Sequence, residues 1–162
     1  MANYYPPVGF SFSVSIGANT TGVDASFSEV SGLDTTQATV DLAEGGENRF
    51  THKLPMRAGH PDLVLKRGVM VAQSALFTWA KQVLEGGLAE PIKPQPVLVS
   101  LLDQTGAPML GWSLDRAWPV KWSIAAFDAR KGEIAMETLE LSYAAMTRKL
   151  FRTKPATGML KA

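Results

Sequence analysis

The most regular pattern of hydrophobic and polar positions lies near the start of the chain. From Phe10 to Ile16, hydrophobic residues alternate strictly with serines. Successive side chains of a strand point to opposite faces, so this pattern predicts a β-strand with one face on a core and the other facing water or a polar partner. Residues 23–30 and 35–42 show the pattern less regularly, with many β-branched residues, and we expect the three segments to form an antiparallel meander.

A mostly polar segment, residues 41–60, follows this meander. Gly45-Gly46 lies between two extended runs and is flanked by charged residues. Paired glycines permit the positive φ angles that a tight hairpin tip requires. The segment therefore predicts a long hairpin or loop that projects from the body.

One segment, at about residues 72–85, has helical periodicity. Its hydrophobic residues recur from Leu76 through Trp79 or Ala80 to Val83, and a pair of glycines follows and ends it. No strong N-cap residue precedes the segment, so its start is poorly marked. We expect one α-helix of three to four turns.

The rest of the chain is again typical of strands. Short strands are predicted at Leu63–Arg67, Val97–Asp103, Met109–Leu114, Ser123–Phe127 and Glu133–Tyr143. The last of these carries acidic residues on both faces, which indicates an edge or interface strand. The chain is thus predicted to be mainly β, an antiparallel β-barrel or sandwich with one packed α-helix.

Composition narrows the functional classes. The 162 residues suit one compact domain, and the absence of cysteine excludes disulfides, thiol nucleophiles and cysteine zinc sites. The formal net charge of +1 gives no overall electrostatic attraction to nucleic acid or to an anionic membrane, so it indicates no charged partner. We find no targeting signal and no uninterrupted apolar run of the ~18 residues that a membrane span needs, and we expect synthesis in the cytosol without membrane insertion.

The small net charge conceals a marked asymmetry. Residues 1–143 carry 11 basic and 15 acidic residues, whereas residues 144–162 carry 5 basic residues and no acidic one. We therefore divide the chain into a body, residues 1–145, and a basic C-terminal extension, residues 146–162. The extension is either a solvated terminus or a segment that meets its own partner.

Catalytic and cofactor motifs are missing from the sequence. His52 and His60 are eight residues apart, without the spacing or the third ligand of a zinc site. No Gly-x-Ser-x-Gly motif is present, and the glycine pair lacks the Lys-Ser/Thr context of a phosphate-binding loop. Glu137 and Glu140 lie three apart on a strand and point to opposite faces. We expect no enzyme activity, no metal and no cofactor.

Several short motifs occur in an order that resembles a known family. They are Tyr4–Phe10, Phe27–Leu33, Leu63–Gly68 with the helix after it, Leu101–Gly106, Trp112, Ala117–Trp122 and Ile134–Leu141. Over about residues 4–144 the sequence resembles the tail tube (inner tube) proteins of contractile-tailed phages and phage-derived contractile injection systems. That family is similar in fold to the haemolysin-coregulated protein of type VI secretion.

The resemblance implies a structural function. Six copies of such a protein form a ring, and rings stack into a hollow tube inside a contractile sheath. Contraction drives the tube into a target, and the channel passes DNA or protein effectors. The implied partners are further copies of the chain, sheath protein, baseplate and tube-capping proteins, and cargo. Assembly would take place in the bacterial cytoplasm, and the product would be a virion tail or an injection particle.

The resemblance also assigns candidate contact residues. The projecting loop corresponds to a family loop that crosses a ring boundary, and its tip is expected to contact the adjacent subunit or ring through Glu44, Gly45, Gly46, Glu47, Asn48 and Arg49. The alternative is a floppy surface hairpin. In the basic extension, Arg148, Lys149, Arg152 and Lys154 are candidates for contact with an acidic sheath surface. The segment Trp118–Trp122 is either a corner of the core or part of the subunit seam.

Two other functions fit the sequence. One is a tube-initiator or baseplate-adjacent paralogue of the same fold, which would form a single ring. The other belongs to a different class, a monomeric β-barrel binding domain or a weakly coded hydrolase. The oligomeric state at high concentration separates these alternatives.

Overall fold

A computed structural model describes residues 11–17, 23–43, 45–46, 49–69, 74–87, 91–126 and 134–151. Ten strands and one helix lie within these ranges: β1 (Ser11–Ile16), β2 (Val23–Phe27), β3 (Glu29–Ser31), β4 (Thr36–Leu42), β5 (His52–Gly59), β6 (Leu63–Gly68), α1 (Ala75–Glu85), β7 (Gln95–Leu102), β8 (Pro108–Ile124), β9 (Met136–Ser142) and β10 (Ala145–Leu150).

Eight of these strands form one antiparallel sheet that folds into two layers. The strand order is β2-β1-β7-β8-β9-β6-β3, and β10 also pairs with β8. The 17-residue strand β8 belongs to both layers, because its first half pairs with β7 and β10 and its second half pairs with β9. Arg116 adopts φ +51° between the halves, a local bend of the kind that lets a strand change sheets. We call the layer of β2, β1, β7, β10 and the first half of β8 sheet A, and the other layer sheet B.

The prediction of a mainly β antiparallel fold with one helix is confirmed, as a sandwich rather than a closed barrel. The predicted meander is wrong in its third member, since β4 pairs with β5 in a separate two-stranded sheet. The two strands predicted at Met109–Leu114 and Ser123–Phe127 are joined through Trp118–Trp122 into one strand, β8, which ends at Ile124. Phe127 lies outside the described residues.

The core lies between the layers and under the helix. Along β1, Phe12, Val14 and Ile16 face inward, as their alternation with serine predicts. They meet β7 residues of the same inward face, with Val14 opposite Val99. The most deeply buried large side chains are Leu63, Leu65, Leu76, Leu114, Leu139, Leu141, Val14, Val97, Val99 and Pro119.

The helix begins at Ala75, three residues after its predicted start. Ser74 is its N-cap, and the Ser74 side chain accepts a hydrogen bond of 3.3 Å from the Phe77 backbone N–H. Residues 71–73 lie outside the described part of the chain. The helix buries Leu76, Phe77 and Ala80 and ends at Glu85, before the glycine pair.

Of the two alternatives for Glu133–Tyr143, the edge strand is wrong, and Glu133 itself lies outside the described residues. Strand β9 is internal and pairs with β8 on one side and β6 on the other. Its acidic residues are matched by basic partners on neighbouring strands. Glu137 forms a buried ion pair with Arg67, and Glu140 accepts a hydrogen bond of 2.9 Å from Lys121 on the outer face. The acidic residues on the two faces of β9 therefore belong to two different ion pairs, one buried and one on the outer face.

Candidate functional site

Strands β4 and β5 form a two-stranded ribbon, the arm, and every residue in the two strands is exposed. Pairing runs from Thr36 opposite Gly59 at the base to Leu42 opposite His52 near the tip. The arm belongs to a sheet of its own, so only its ends connect it to the sandwich through the backbone. The predicted projecting hairpin is thus present as an extended ribbon.

The arm has one apolar face. Val40 lies directly opposite Leu54, and Leu42 lies opposite His52, whose ring meets Phe50 edge-on with centroids 4.9 Å apart. Val40, Leu42, Phe50, Leu54 and Met56 are between 44% and 55% exposed. The other face carries Thr39 opposite Pro55 and Asp41 opposite Lys53.

This apolar face is the main functional feature that sequence reasoning missed. The signal was the two-residue spacing of Val40 and Leu42, and of Leu54 and Met56, within a segment that is polar on average. An isolated two-stranded ribbon is marginally stable in water. An exposed contiguous apolar surface on such a ribbon is typical of a contact with another protein.

The tip residues lie only partly within the described structure. Gly45 and Gly46 form a turn at the far end of the arm, and Gly46 adopts φ +101°. Arg49 follows on the returning side. Glu44, Glu47 and Asn48 lie outside the described residues.

The base of the arm is clamped to the sandwich. The Tyr143 hydroxyl donates a hydrogen bond of 2.9 Å to the Gly32 carbonyl, before β4, and the Tyr143 ring stacks on His60, after β5, at a centroid distance of 3.9 Å. Gly32 adopts φ +87°, and a Cβ atom there would lie 2.0 Å from the Asp62 carbonyl oxygen. One aromatic ring therefore holds both chain segments that enter and leave the arm.

We expect Tyr143→Phe to loosen this clamp. Losing the hydrogen bond to Gly32 should cost the subunit about 1 kcal/mol of unfolding free energy at pH 7. Burial raises the pKa of Tyr143 above its ordinary value of 10.0, and the charges of Asp34 and Asp62 raise the pKa further. The neutral hydroxyl therefore stabilises the fold below pH 10, and that contribution is lost as the pH rises through the raised pKa.

Chemical denaturation at pH 7 and across the alkaline range measures both effects. The wild-type chain should lose stability with rising pH more steeply than Tyr143→Phe. Parallel alkaline profiles for the two chains would contradict the buried-hydroxyl interpretation.

The outward face of sheet A carries mostly small side chains in two adjacent rows. Register places Ser13, Ser100, Gly111 and Lys149 in one row across four strands. The next row consists of Ser15, Leu98, Ser113 and Thr147. We call this surface the hydroxyl face, and its central serines, Ser13 and Ser100, are buried at 8% and 7% exposure.

The structure does not bring the candidate sheath residues onto one surface. Arg148 lies opposite Trp112 and Lys149 opposite Gly111, so these neighbours on β10 point to opposite faces. Of these two residues, Lys149 belongs to the hydroxyl face and Arg148 does not. Arg152 and Lys154 lie outside the described residues. The predicted boundary after residue 145 falls within β10, whose residues pair with β8.

Within the described ranges, histidine and carboxylate side chains do not cluster into a metal-binding group. His52 lies on the arm and His60 on the clamp, and no three His, Asp or Glu residues could hold a metal ion. A groove of about 280 Å³ beside the end of α1 is lined by Trp79, Gln82, Val83, Gly86, Gly87, Pro91, Ile92, Lys93 and Gln95. As far as the chain is described, it has no helix with the length and hydrophobicity to cross a lipid bilayer.

Comparison with known proteins identifies a family and solved structures that resemble this chain. The family model described as T4-like virus tail tube protein gp19 matches residues 8–147. No curated protein matches the chain. A chain in the cryo-EM structure of the anti-feeding prophage (AFP) baseplate, 6-fold symmetrised, is similar at 30% identity and a TM-score of 0.75, covering 92% of this chain and 97% of that one.

Chains of lower sequence identity share the same fold. A chain in the sheath-tube complex of the extracellular contractile injection system PVC, in its extended state, is 23% identical with a TM-score of 0.75, covering 92% of this chain and 95% of that one. The crystal structure of an Hcp protein is 11% identical with a TM-score of 0.53, covering 87% and 99%.

Proposed function

Because the chain belongs to the T4-like tail tube protein family, we propose that it is the subunit of the inner tube of a contractile injection machine. Six copies close into a ring, and rings stack into a hollow tube. A sheath surrounds the tube, and a baseplate and a cap bound its two ends. The function is structural, without catalysis or a cofactor.

The exposed apolar face of the arm is the observation that carries this proposal. A ribbon with Val40, Leu42, Leu54 and Met56 on one face leaves costly apolar surface in water when the subunit is alone. Docking on another copy would bury that surface. A surface repeated on every copy and complementary to a different surface of the next copy generates rings or filaments.

The arm tip contacts the adjacent subunit or ring in this proposal. Gly45, Gly46 and Arg49 lie at the far end of the ribbon, where the arm reaches farthest from its own core. Deleting residues 44–48 would shorten that reach without touching the clamp at Tyr143. We expect shortened or absent tubes, and tubes of normal length would count against the tip contact.

The two ends of sheet A provide a way to close the ring. Within the described residues, β2 pairs only with β1, and β10 pairs only with β8. Each strand therefore has an edge with unpaired backbone groups. Pairing β2 of one copy with β10 of the next would continue sheet A around the ring. The hydroxyl face would then line the channel, where small polar side chains suit passing cargo.

The partners follow from this position. Sheath protein surrounds the tube, and cargo, either a protein effector or DNA, passes through it. We place assembly in the bacterial cytoplasm and the finished tube in a virion tail or an injection particle.

A single ring near a baseplate is the second candidate. Its support is the 30% identity to a chain in the AFP baseplate structure. Negative-stain microscopy of the purified protein at high concentration distinguishes the candidates. Filaments support a stacking tube subunit, rings without filaments support the baseplate-adjacent role, and a stable monomer contradicts both.

A further inference from the structure

Strand β10 carries an apolar side chain on the core face of sheet A that the subunit leaves exposed. Along this face, Leu101 lies opposite Leu110, and Leu110 lies opposite Leu150 of β10. Directly opposed residues of antiparallel strands share a face, so all three belong to the face that builds the core. Leu101 is 8% exposed, whereas Leu150 is 76% exposed. The core face of sheet A therefore extends past the layer that covers it.

The neighbouring row of residues shows the same change. Val99 is fully buried, Trp112 opposite it is partly buried, and Arg148 opposite Trp112 is exposed. Burial thus decreases from β7 to β10 in both rows. As far as the chain is described, the second layer covers the core face at β7 and leaves it exposed at β10. We call the exposed end of this face the ledge, formed by Leu110, Trp112, Arg148 and Leu150.

The end of β10 is held against β8. Pairing with β8 continues through Leu150, and the Phe151 backbone N–H then donates a hydrogen bond of 3.1 Å to the Met109 carbonyl. The Phe151 ring covers Gly111 on the hydroxyl face, since a Cβ atom built at Gly111 would lie 2.5 Å from the ring. An aromatic side chain that covers a strand glycine in this way fixes the register of the strand. Leu150 is therefore presented by a paired strand.

We propose that the next copy in the ring covers the ledge. This inference rests on the proposed tube, in which β2 of one copy pairs with the free edge of β10. The next copy brings two layers to that edge, because Phe27 at the end of β2 is 3% exposed and its ring centroid lies 5.6 Å from the Arg67 guanidinium of sheet B. One copy therefore supplies both the strand that extends sheet A and the layer that covers the ledge.

Charge favours the same occupant. Arg148 is the charged member of the ledge, and residues 1–143 of the next copy carry 15 acidic residues against 11 basic ones. A guanidinium among apolar side chains suits a partner surface that is apolar at its centre and acidic at its rim. The inference places Arg148 at the seam between neighbours in a ring instead of on the sheath side.

Photo-crosslinking of assembled tubes tests this contact. The photoreactive residue benzoylphenylalanine replaces Leu150 on the ledge or, as the matched control, Lys149 on the hydroxyl face. These positions are adjacent on β10 and point to opposite faces. Tubes of each full-length variant are irradiated, denatured and separated by size, and mass spectrometry identifies the joined peptides. We expect position 150 to give a ladder of joined copies that stops at six, and position 149 to leave the chain as a monomer.

The ladder should stop at six because each crosslink joins neighbours within one ring. A ladder that continues past six would place the contact between rings and overturn the inference. Crosslinks within one chain, or crosslinks that appear only after sheath protein is added, would assign the ledge to a different occupant and overturn it as well. Wild-type tubes without any crosslink at position 150 would remove the inference and leave the proposed function intact. If the wild-type chain forms no tubes, both fail.

A substitution on the same strand gives an independent test. Leu150→Asp adds a carboxylate to the ledge, and Thr147→Asp adds the same charge to the hydroxyl face of β10. We expect Leu150→Asp to give at least about tenfold fewer rings at the same concentration, because ring closure would bury the new charge against an apolar surface. Thr147→Asp should assemble like the wild type, and thermal unfolding of the isolated subunits should show both variants folded. Wild-type yields of rings from Leu150→Asp would contradict the contact.

Discussion

Leu54→Asp is expected to abolish tube formation while leaving the isolated subunit folded. Leu54 is 44% exposed and lies opposite Val40 at the centre of the apolar face of the arm. In the free subunit the new carboxylate meets water, so we expect a change of at most about 0.5 kcal/mol in unfolding free energy. In the tube the same carboxylate would be buried against an apolar partner surface without a counter-charge, which costs several kcal/mol at every contact. Sedimentation and microscopy measure assembly, and thermal unfolding measures the subunit.

Thr39→Asp is the matched control. It adds the same charge to the same ribbon, but Thr39 lies opposite Pro55 on the other face. We expect this variant to form tubes. Equal loss of tubes in both variants would show that charge on the arm, and not its apolar face, decides assembly. Tubes of normal length from Leu54→Asp would contradict the docking of that face.

Glu137→Leu is expected to lower the stability of the subunit by about 3–5 kcal/mol, because it leaves the Arg67 guanidinium buried without its carboxylate. Arg67 is 2% exposed and Glu137 is 4% exposed, between β6 and β9. The guanidinium also lies 3.9 Å from the centroid of the Phe77 ring, so the pair connects sheet B to the helix. For a chain of this size the loss corresponds to a fall in Tm of about 6–20 °C.

The double variant Arg67→Met, Glu137→Leu separates the charge from the packing. Replacing both members of a buried ion pair with apolar residues of similar volume is often neutral or stabilising. We therefore expect it to recover most of the lost stability. A double variant as unstable as Glu137→Leu would show that packing at these two positions, and not the loss of the Glu137 carboxylate beside Arg67, carries the effect.

The parts of this fold that are predictable from sequence are those encoded locally. Alternation from Phe10 to Ile16 predicted a strand with an apolar inner face, and β1 confirms it from Ser11 onward, since that pattern needs no knowledge of the partner strand. Phe10 lies outside the described residues. The glycine pair likewise predicted a hairpin within residues 41–60, but its first strand begins earlier, at Thr36, in the segment assigned to the meander. The helix start was misplaced because its marker, Ser74, lies inside the apolar stretch that suggested an earlier start.

Pairings between distant residues could not be predicted in this way. The acidic residues of β9 suggested an edge, but the partner of Glu137 is 70 positions away in the sequence. Likewise β1 lies between β2 and β7, an arrangement that depends on contacts across more than 80 residues. Residues 41–60 are polar on average, so their composition did not reveal the apolar face of the arm. That face becomes evident only when β4 and β5 are placed in register.

Cryo-EM reconstruction of tubes assembled from the purified chain is the decisive experiment for the proposed tube. We expect stacked rings of six subunits, with β2 of one copy beside β10 of the next. The hydroxyl face of Ser13 and Ser100 should line the channel, and the apolar face of each arm should be buried on another copy. A monomer at high concentration, rings of a different number, or a channel lined by the outward face of sheet B would contradict it.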